Sequence, residues 1–128
     1  MTLIVGKHRV KPFSHKGKHN HIKLSAFTTL AIWQESFHCG ITLTELAAVL
    51  KGISTYASLR VLAGRWLRWG YLRRDRQGSG VIYSLTAYGL KYRNRHFVEV
   101  FGGVEKRYGV LENLKNRIIA YRASNTKG

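Results

Sequence analysis

The sequence has a single cysteine, Cys39, and a single proline, Pro12. One cysteine cannot form a disulfide within the chain, which excludes a disulfide-stabilised scaffold and favours a reducing compartment. No apolar run approaches the roughly 18 residues that suggest a membrane-spanning helix. The short apolar stretch near the start precedes the basic residues, in the opposite order to a signal peptide. We therefore expect a soluble, cytoplasmic protein.

Acidic residues are also scarce. Six Asp and Glu stand against 22 Lys and Arg, which gives a formal net charge of +16. No carboxylate pair or phosphate-binding glycine loop is evident, so we expect no enzyme and no cofactor. Charge of one sign destabilises a compact chain by self-repulsion and is typical of a protein with a polyanionic partner. The alternative is that the charge only keeps the surface soluble.

The first 23 residues contain six Lys or Arg, four His and no acid. This composition predicts a flexible basic arm over residues 1–23. We expect its cations to lie along phosphates: Lys7, Arg9, Lys11, Lys16, Lys18 and Lys23. The potential zinc ligands His15, His19, His21 and Cys39 match no strong zinc pattern, so no metal site is predicted.

Apolar spacing predicts a first helix that begins near Leu24, with Ser25 as its cap and a left-handed stop at Gly40. Thr42 and Glu45 have the spacing of a capping box, which begins a short second helix.

Gly52 ends that second helix. A third helix follows, capped by Ser54 and ended by Gly70.

After Gly70 the spacing of apolar residues changes from a helical to an extended pattern. "YLRRDR" and "VIYSLT", separated by the turn-prone "QGSG", predict a β-hairpin. Thr86 is suited to cap a fourth helix, Gly102 and Gly103 break it, and a last helix covers about residues 104–122. The predicted class is α+β and mainly helical. Three helices followed by a hairpin is the winged helix-turn-helix arrangement, here with additional C-terminal helices.

Two stretches also carry a family resemblance. "YSLTAYG", Tyr83 to Gly89, resembles the Y-x-L-T-x-x-G signature at the end of the wing in MarR- and PadR-like regulators. "LRWGYLRRD" resembles their junction between recognition helix and wing. The resemblance covers about Ile41 to Tyr92 and implies a DNA-binding winged-helix domain, placed at residues 24–101. It also implies that helices outside this domain, here residues 102–128, form a homodimer.

The third helix has two distinct faces. Projection at about 100° per residue places Leu59, Leu62, Ala63, Trp66 and Trp69 on the core side. The other side carries small residues toward the start of the helix and arginines toward its end. Small side chains allow a helix to approach the bases in a major groove. The candidate nucleic-acid contacts of this helix are Ser54, Ser58, Arg60, Val61, Arg65 and Arg68. The alternative is a solvated helix face with spare charges.

The hairpin supplies a second set of candidates. Leu72, Val81, Tyr83 and Leu85 are suited to anchor it to the core. Its tip carries the candidate contacts to phosphates or a minor groove, namely Arg73, Arg74, Arg76 and Gln77. The alternative role for these charges is to protect an exposed strand edge from aggregation.

The last helix carries an apolar stripe with heptad-like spacing: Val104, Leu111, Leu114, Ile118 and Tyr121. The stripe predicts either pairing with a second copy of the chain or folding back onto the core.

These features favour a DNA-binding protein that regulates transcription or coats DNA. A basic RNA- or ribosome-binding protein and a protein-interaction module are the alternatives.

Overall fold

The computed structural model describes residues 18–124, with side chains from residue 20 onward. Its elements, in chain order, are α1 (Lys18–Phe37), α2 (Leu43–Val49), α3 (Tyr56–Arg68), β1 (Leu72–Gln77), β2 (Gly80–Leu85), α4 (Ala87–Phe101) and α5 (Val104–Ser124). The two strands form one antiparallel sheet. The class is therefore α+β and mainly helical, with the predicted order of elements. None of the described helices is long and apolar enough to cross a membrane.

Helix α1 begins at Lys18 rather than near Leu24, so residues 18–23 belong to the fold and not to the arm. Asn20 and Lys23 are buried. The Lys23 ammonium lies 4.8 Å from the ring centre of Tyr92 and 5.5 Å from those of Trp69 and Tyr71, at cation–π distance. Ser25 does not cap the helix, because it lies within it and its carbonyl accepts a hydrogen bond from Thr29 Oγ1 at 2.9 Å.

The core forms around α1. Phe27 and Trp66 are fully buried, and their rings meet edge to face with centres 5.0 Å apart. Edge-to-face aromatic pairs of this kind add about 0.5–1.5 kcal/mol beyond the burial of their area. The other buried apolar side chains from α1, α3 and α5 include Leu24, Leu30, Trp33, Leu59, Leu62, Leu114 and Ile118.

The connection after α1 depends on a close backbone approach. His38, rather than Gly40, is left-handed, with φ 55°. Gly40 is needed for a different reason, since a Cβ there would lie 2.6 Å from the carbonyl oxygen of Tyr83. Ile41 can consequently pair with Tyr83, and the two residues exchange backbone hydrogen bonds of 3.0 and 2.8 Å. This bridge ties the start of α2 to the hairpin.

Two predicted caps are confirmed. Thr42 Oγ1 accepts from the Glu45 amide at 3.0 Å, and the Glu45 carboxylate accepts from the Thr42 amide at 2.9 Å. Thr86 caps α4 by accepting from the Gly89 amide at 3.0 Å. The Thr86 hydroxyl also donates to the carbonyl of Gly70 at 2.6 Å, so one side chain joins the end of α3 to the start of α4.

Helix α5 folds back onto the core. Leu114 and Ile118 are buried within the chain, whereas Val104 is 71% exposed and Leu111 and Tyr121 are partly buried. The expected seam with a second copy is therefore corrected at Leu114 and Ile118, because α5 packs against α1 and α2 through this part of the stripe. Pairing through the other positions stays a prediction.

We expect Gly89→Ala to destabilise the fold by about 1–3 kcal/mol, as overpacking of a closed site does. A Cβ at Gly89 would collide with the carbonyl oxygen of Tyr71. The matched control is Gly109→Ala in α5, where a Cβ meets nothing within 4 Å. That variant should gain roughly 0.5–1 kcal/mol from helix propensity. Urea unfolding of both variants checks the pair, and equal stability would contradict the packing of α4 on Tyr71.

Candidate nucleic-acid interface

Helix α3 separates an apolar face from a basic one. Leu59, Leu62, Ala63 and Trp66 are buried, as the helical projection predicts. The opposite side is exposed and carries Ala57, Ser58, Arg60, Val61, Arg65 and Arg68. In its first half Ala57, Ser58 and Val61 have short side chains, although Arg60 lies beside them, and its second half has Arg65 and Arg68. This distribution leaves the helix slim enough at one end to approach a groove in nucleic acid.

The cap of α3 lies one residue later than predicted. Thr55 Oγ1 accepts from the Ser58 amide at 3.1 Å. The Ser54 hydroxyl is buried and has no hydrogen-bond partner in the described part of the chain. Ser54 is therefore neither the cap nor an exposed contact, because the helix starts at Tyr56 and turns this hydroxyl inward.

The hairpin divides its arginines between two faces. Arg74 lies opposite Tyr83 and Arg76 opposite Val81 in the strand register, so these two arginines share one face. Arg73 lies on the other face, where its Nε is 3.1 Å from the carboxylate of Asp75. Within the described part of the chain, the predicted cluster is therefore two arginines without an ion pair on one side and one paired arginine on the other.

The base and the tip of the hairpin agree with the sequence prediction. Leu72 and Leu85 pair with each other and are buried, while Val81 and Tyr83 are partly buried. At the tip, Gln77 is exposed, and Gly78 is left-handed with φ 62°. A two-residue turn of this kind is tight and lets the tip approach another backbone closely.

Several basic side chains are used by the fold itself. Arg93 Nε donates to Thr28 Oγ1 at 3.1 Å, and burial lowers the pKa of its guanidinium. Arg117 donates to the carbonyls of Val49 and Lys51 at 3.0 and 2.7 Å, which closes the C-terminal end of α2. These cations satisfy internal groups and are poorly placed for a ligand.

Most arginines of α3 and the hairpin, which together form the candidate surface, have no such internal partner in the described part of the chain. Within residues 20–124, no hydrogen bond or ion pair engages the side chains of Arg60, Arg65, Arg68, Arg74 or Arg76. Asp75 is the only acid in α3 and the hairpin, against six arginines. A basic surface with so little internal compensation is suited to a polyanion.

Of the six cations near the start of the chain that were predicted to contact phosphates, only Lys23 has a described side chain. Lys7, Arg9, Lys11 and Lys16 lie outside the described residues, and Lys18 is the first residue of α1. Lys23 is buried among Trp69, Tyr71 and Tyr92, so it cannot lie along phosphates as expected.

The potential zinc ligands predicted from the sequence include three histidines near the start of the chain. His15 lies outside the described residues, and among those described no three His, Cys, Asp or Glu side chains are grouped to hold a metal ion. His21 packs its ring edge-on against Phe101, with the centres 5.2 Å apart.

Three exposed residues of α4 were not among the contacts predicted from the sequence: Tyr88, Lys91 and Arg95. Their spacing places them on one face of a helix, and that spacing is the signal that could have identified them.

Comparison with family models, curated proteins and solved structures finds no match to the chain. Its function is therefore inferred from the geometry and charge of this surface.

We expect Thr55→Ala to lower the free energy of unfolding by about 1 kcal/mol, the typical loss for a helix N-cap. Ser54→Ala should be neutral or slightly stabilising, since it removes a buried hydroxyl that has no partner in the described chain. Thermal unfolding of the two variants gives the comparison. A larger loss from Ser54→Ala would restore Ser54 as the cap.

Proposed function

We propose that the chain is a winged helix-turn-helix protein that binds double-stranded DNA. α2 and α3 are the helix-turn-helix pair, α3 is the recognition helix, and the β1–β2 hairpin is the wing. The observation that carries the proposal is the set of exposed arginines on α3 and the hairpin that no acid in the described chain engages. The order of elements and the resemblance of "YSLTAYG" to the MarR- and PadR-like signature support the same assignment.

On this proposal, the outer face of α3 enters a major groove. Ala57, Ser58 and Val61 allow close approach, and Val61 is 60% exposed and suited to contact a thymine methyl group. Arg65 lies further along the same face, where a guanidinium can donate two hydrogen bonds to a guanine edge. Arg68, in the last turn, is placed for a phosphate.

The hairpin contributes contacts that position the chain on DNA rather than contacts that select a base sequence. Arg74 and Arg76 share a face and project toward a phosphate backbone or a minor groove. Arg73 contributes less net charge, because Asp75 lies beside it. Transcriptional regulation or DNA coating is the resulting biological role. An RNA- or ribosome-binding protein is the alternative, and the relative affinity for duplex DNA and RNA separates the two.

Binding should depend steeply on salt. If roughly six phosphates are neutralised, the slope of log affinity against log salt concentration is about −5. Fluorescence anisotropy with duplex DNA, duplex RNA and single strands, each titrated at several salt concentrations, measures this slope. Tighter binding to duplex DNA supports the proposal. A slope near zero overturns any nucleic-acid function, and preference for duplex RNA favours the alternative.

Substitutions should separate base contacts from phosphate contacts. Arg65→Ala is expected to cost about 1–3 kcal/mol on a duplex selected from a random pool, and less on random sequence. Arg74→Ala and Arg76→Ala should weaken binding to both duplexes equally and reduce the salt slope, because phosphates carry no sequence information.

The matched control is Lys115→Ala, which removes an exposed charge on α5 beside Glu112. It should leave the affinity for selected duplex close to that of the unmodified chain. An unchanged ratio of selected to random affinity in Arg65→Ala would show that α3 does not select sequence. A loss in Lys115→Ala as large as in Arg74→Ala would contradict the assignment of the surface.

A further inference from the structure

Tyr88, at the start of α4, is a large aromatic side chain that is both exposed and held in place. It is 51% exposed, yet its ring stacks on the ring of Tyr71, with centres 5.2 Å apart and planes 23° apart. Tyr71 is buried and in turn meets Phe27 edge to face at 5.5 Å. Tyr88 is thus the exposed end of a series of rings anchored in the core.

The inner rings of this series are fixed by several contacts. Tyr71 and Tyr92 lie 4.7 Å apart, and the Lys23 ammonium lies over both. Burial, with the neighbouring Tyr92 and Tyr88 as smaller causes, raises the pKa of the Tyr71 phenol, so that it stays neutral. A ring supported in this way loses little conformational freedom when a ligand stacks on its open side.

Two cations lie on the same face of α4 as Tyr88. Lys91 and Arg95 follow it by three and seven residues, and both are exposed. The face spans roughly 10 Å at the helical rise per residue. Its first acid is Glu99, which lies beyond Arg95 and within 2.9 Å of His96. An aromatic ring followed by two cations that form no ion pair within the described residues is suited to bind a base and its phosphates.

The position of Tyr88 relates this face to α3. A Cβ placed on Gly70 would be 3.8 Å from Tyr88 Cδ2, so the tyrosine ring lies beside the residue that ends α3. Arg68, in the last turn of α3, precedes Gly70 by two residues. The start of α4 therefore lies next to the C-terminal end of α3, the proposed recognition helix.

We propose that Tyr88, Lys91 and Arg95 form a platform for an unpaired nucleotide next to the duplex. Stacking on Tyr88 needs an open face of a base, and in a continuous duplex both faces are covered by neighbouring bases. The ligand is therefore a single-stranded extension or fork adjoining the duplex that α3 binds. This inference rests on the proposed function, and it names the DNA structure that the surface prefers.

The test measures, by fluorescence anisotropy, how tightly the full chain binds three kinds of DNA probe. The first is a blunt duplex, and the second is the same duplex with a short single-stranded overhang on either strand. The third carries the same overhang with abasic sites. The overhang should increase affinity by at least about 5-fold, the lower end of what stacking of one base contributes. The abasic overhang should recover only the part of the gain that Lys91 and Arg95 provide through phosphates.

Variants then assign the gain to the platform. Tyr88→Ala should abolish the difference between normal and abasic overhangs. Tyr88→Phe, which keeps the ring, should retain the difference, and the thermal unfolding midpoint of Tyr88→Ala shows whether that variant is folded. Lys91→Ala and Arg95→Ala should weaken binding to both overhangs. The matched control, Tyr108→Ala, removes a tyrosine that is 64% exposed on α5 and should change nothing.

Three results overturn the platform. The first is an equal affinity for blunt and overhanging duplex, which leaves the proposed function intact. The second is a gain that survives Tyr88→Ala. The third is that the chain binds no nucleic acid and that Tyr88→Ala disrupts binding to an acidic peptide instead, which would make this face a protein-interaction surface and reject the proposed function as well.

Discussion

The contact between Phe27 of α1 and Trp66 of α3 fixes how α3 is rotated relative to the rest of the chain. Both rings are fully buried and meet edge to face at 5.0 Å. The indole nitrogen of Trp66 has no hydrogen-bond partner in the described residues, so packing rather than a polar contact holds this ring. Once Trp66 faces inward, the 3.6-residue period turns Val61, Arg65 and Arg68 outward. The same contact therefore forms the core and presents the basic face of α3.

Carbonyl oxygens and aromatic rings of the fold contact part of its positive charge. Arg107 donates to the carbonyl of Gly102 at 2.9 Å, Arg117 closes the end of α2, and Arg122 lies 3.9 Å from the ring centre of Phe37. Carbonyl oxygens and ring faces carry partial negative charge, so they bind guanidinium groups without a carboxylate. Among the described residues, the arginines left over are on α3 and the hairpin, apart from Arg95 of α4, and their mutual repulsion is a cost that a polyanion would relieve.

Local patterns predicted most of the described fold, because the relevant interactions lie within a few residues. The capping box at Thr42 and the cap at Thr86 depend only on neighbouring backbone, and the glycine-containing turn closes a hairpin between adjacent strands. The rotation of α3 followed from its apolar period. The position of the α3 cap was wrong by one residue, since both Ser54 and Thr55 are good caps and packing decides between them.

Predictions that depended on distant contacts were less successful. Lys23 looked like part of a solvated arm, because nothing near it in sequence reveals that Trp69, Tyr71 and Tyr92 cover it. Leu114 and Ile118 have the spacing of a seam between copies, and the same spacing also suits a helix that folds onto its own core. Within the candidate interface, the strand register divided Arg73 from Arg74, and a composition-based cluster could not anticipate that division.

Nuclear magnetic resonance of the full chain tests the central claim most directly, because it locates the bound duplex on the surface. Backbone amide and arginine Nε signals of the ¹⁵N-labelled protein are followed as a DNA duplex is added. If α3 and the hairpin bind DNA, the largest shift changes occur at Ser58, Val61 and Arg65 and at the hairpin residues 74–79, with little change at Gly109 and Lys115 of α5. Changes concentrated on α5, with the outer face of α3 unaffected, would contradict DNA binding through α3.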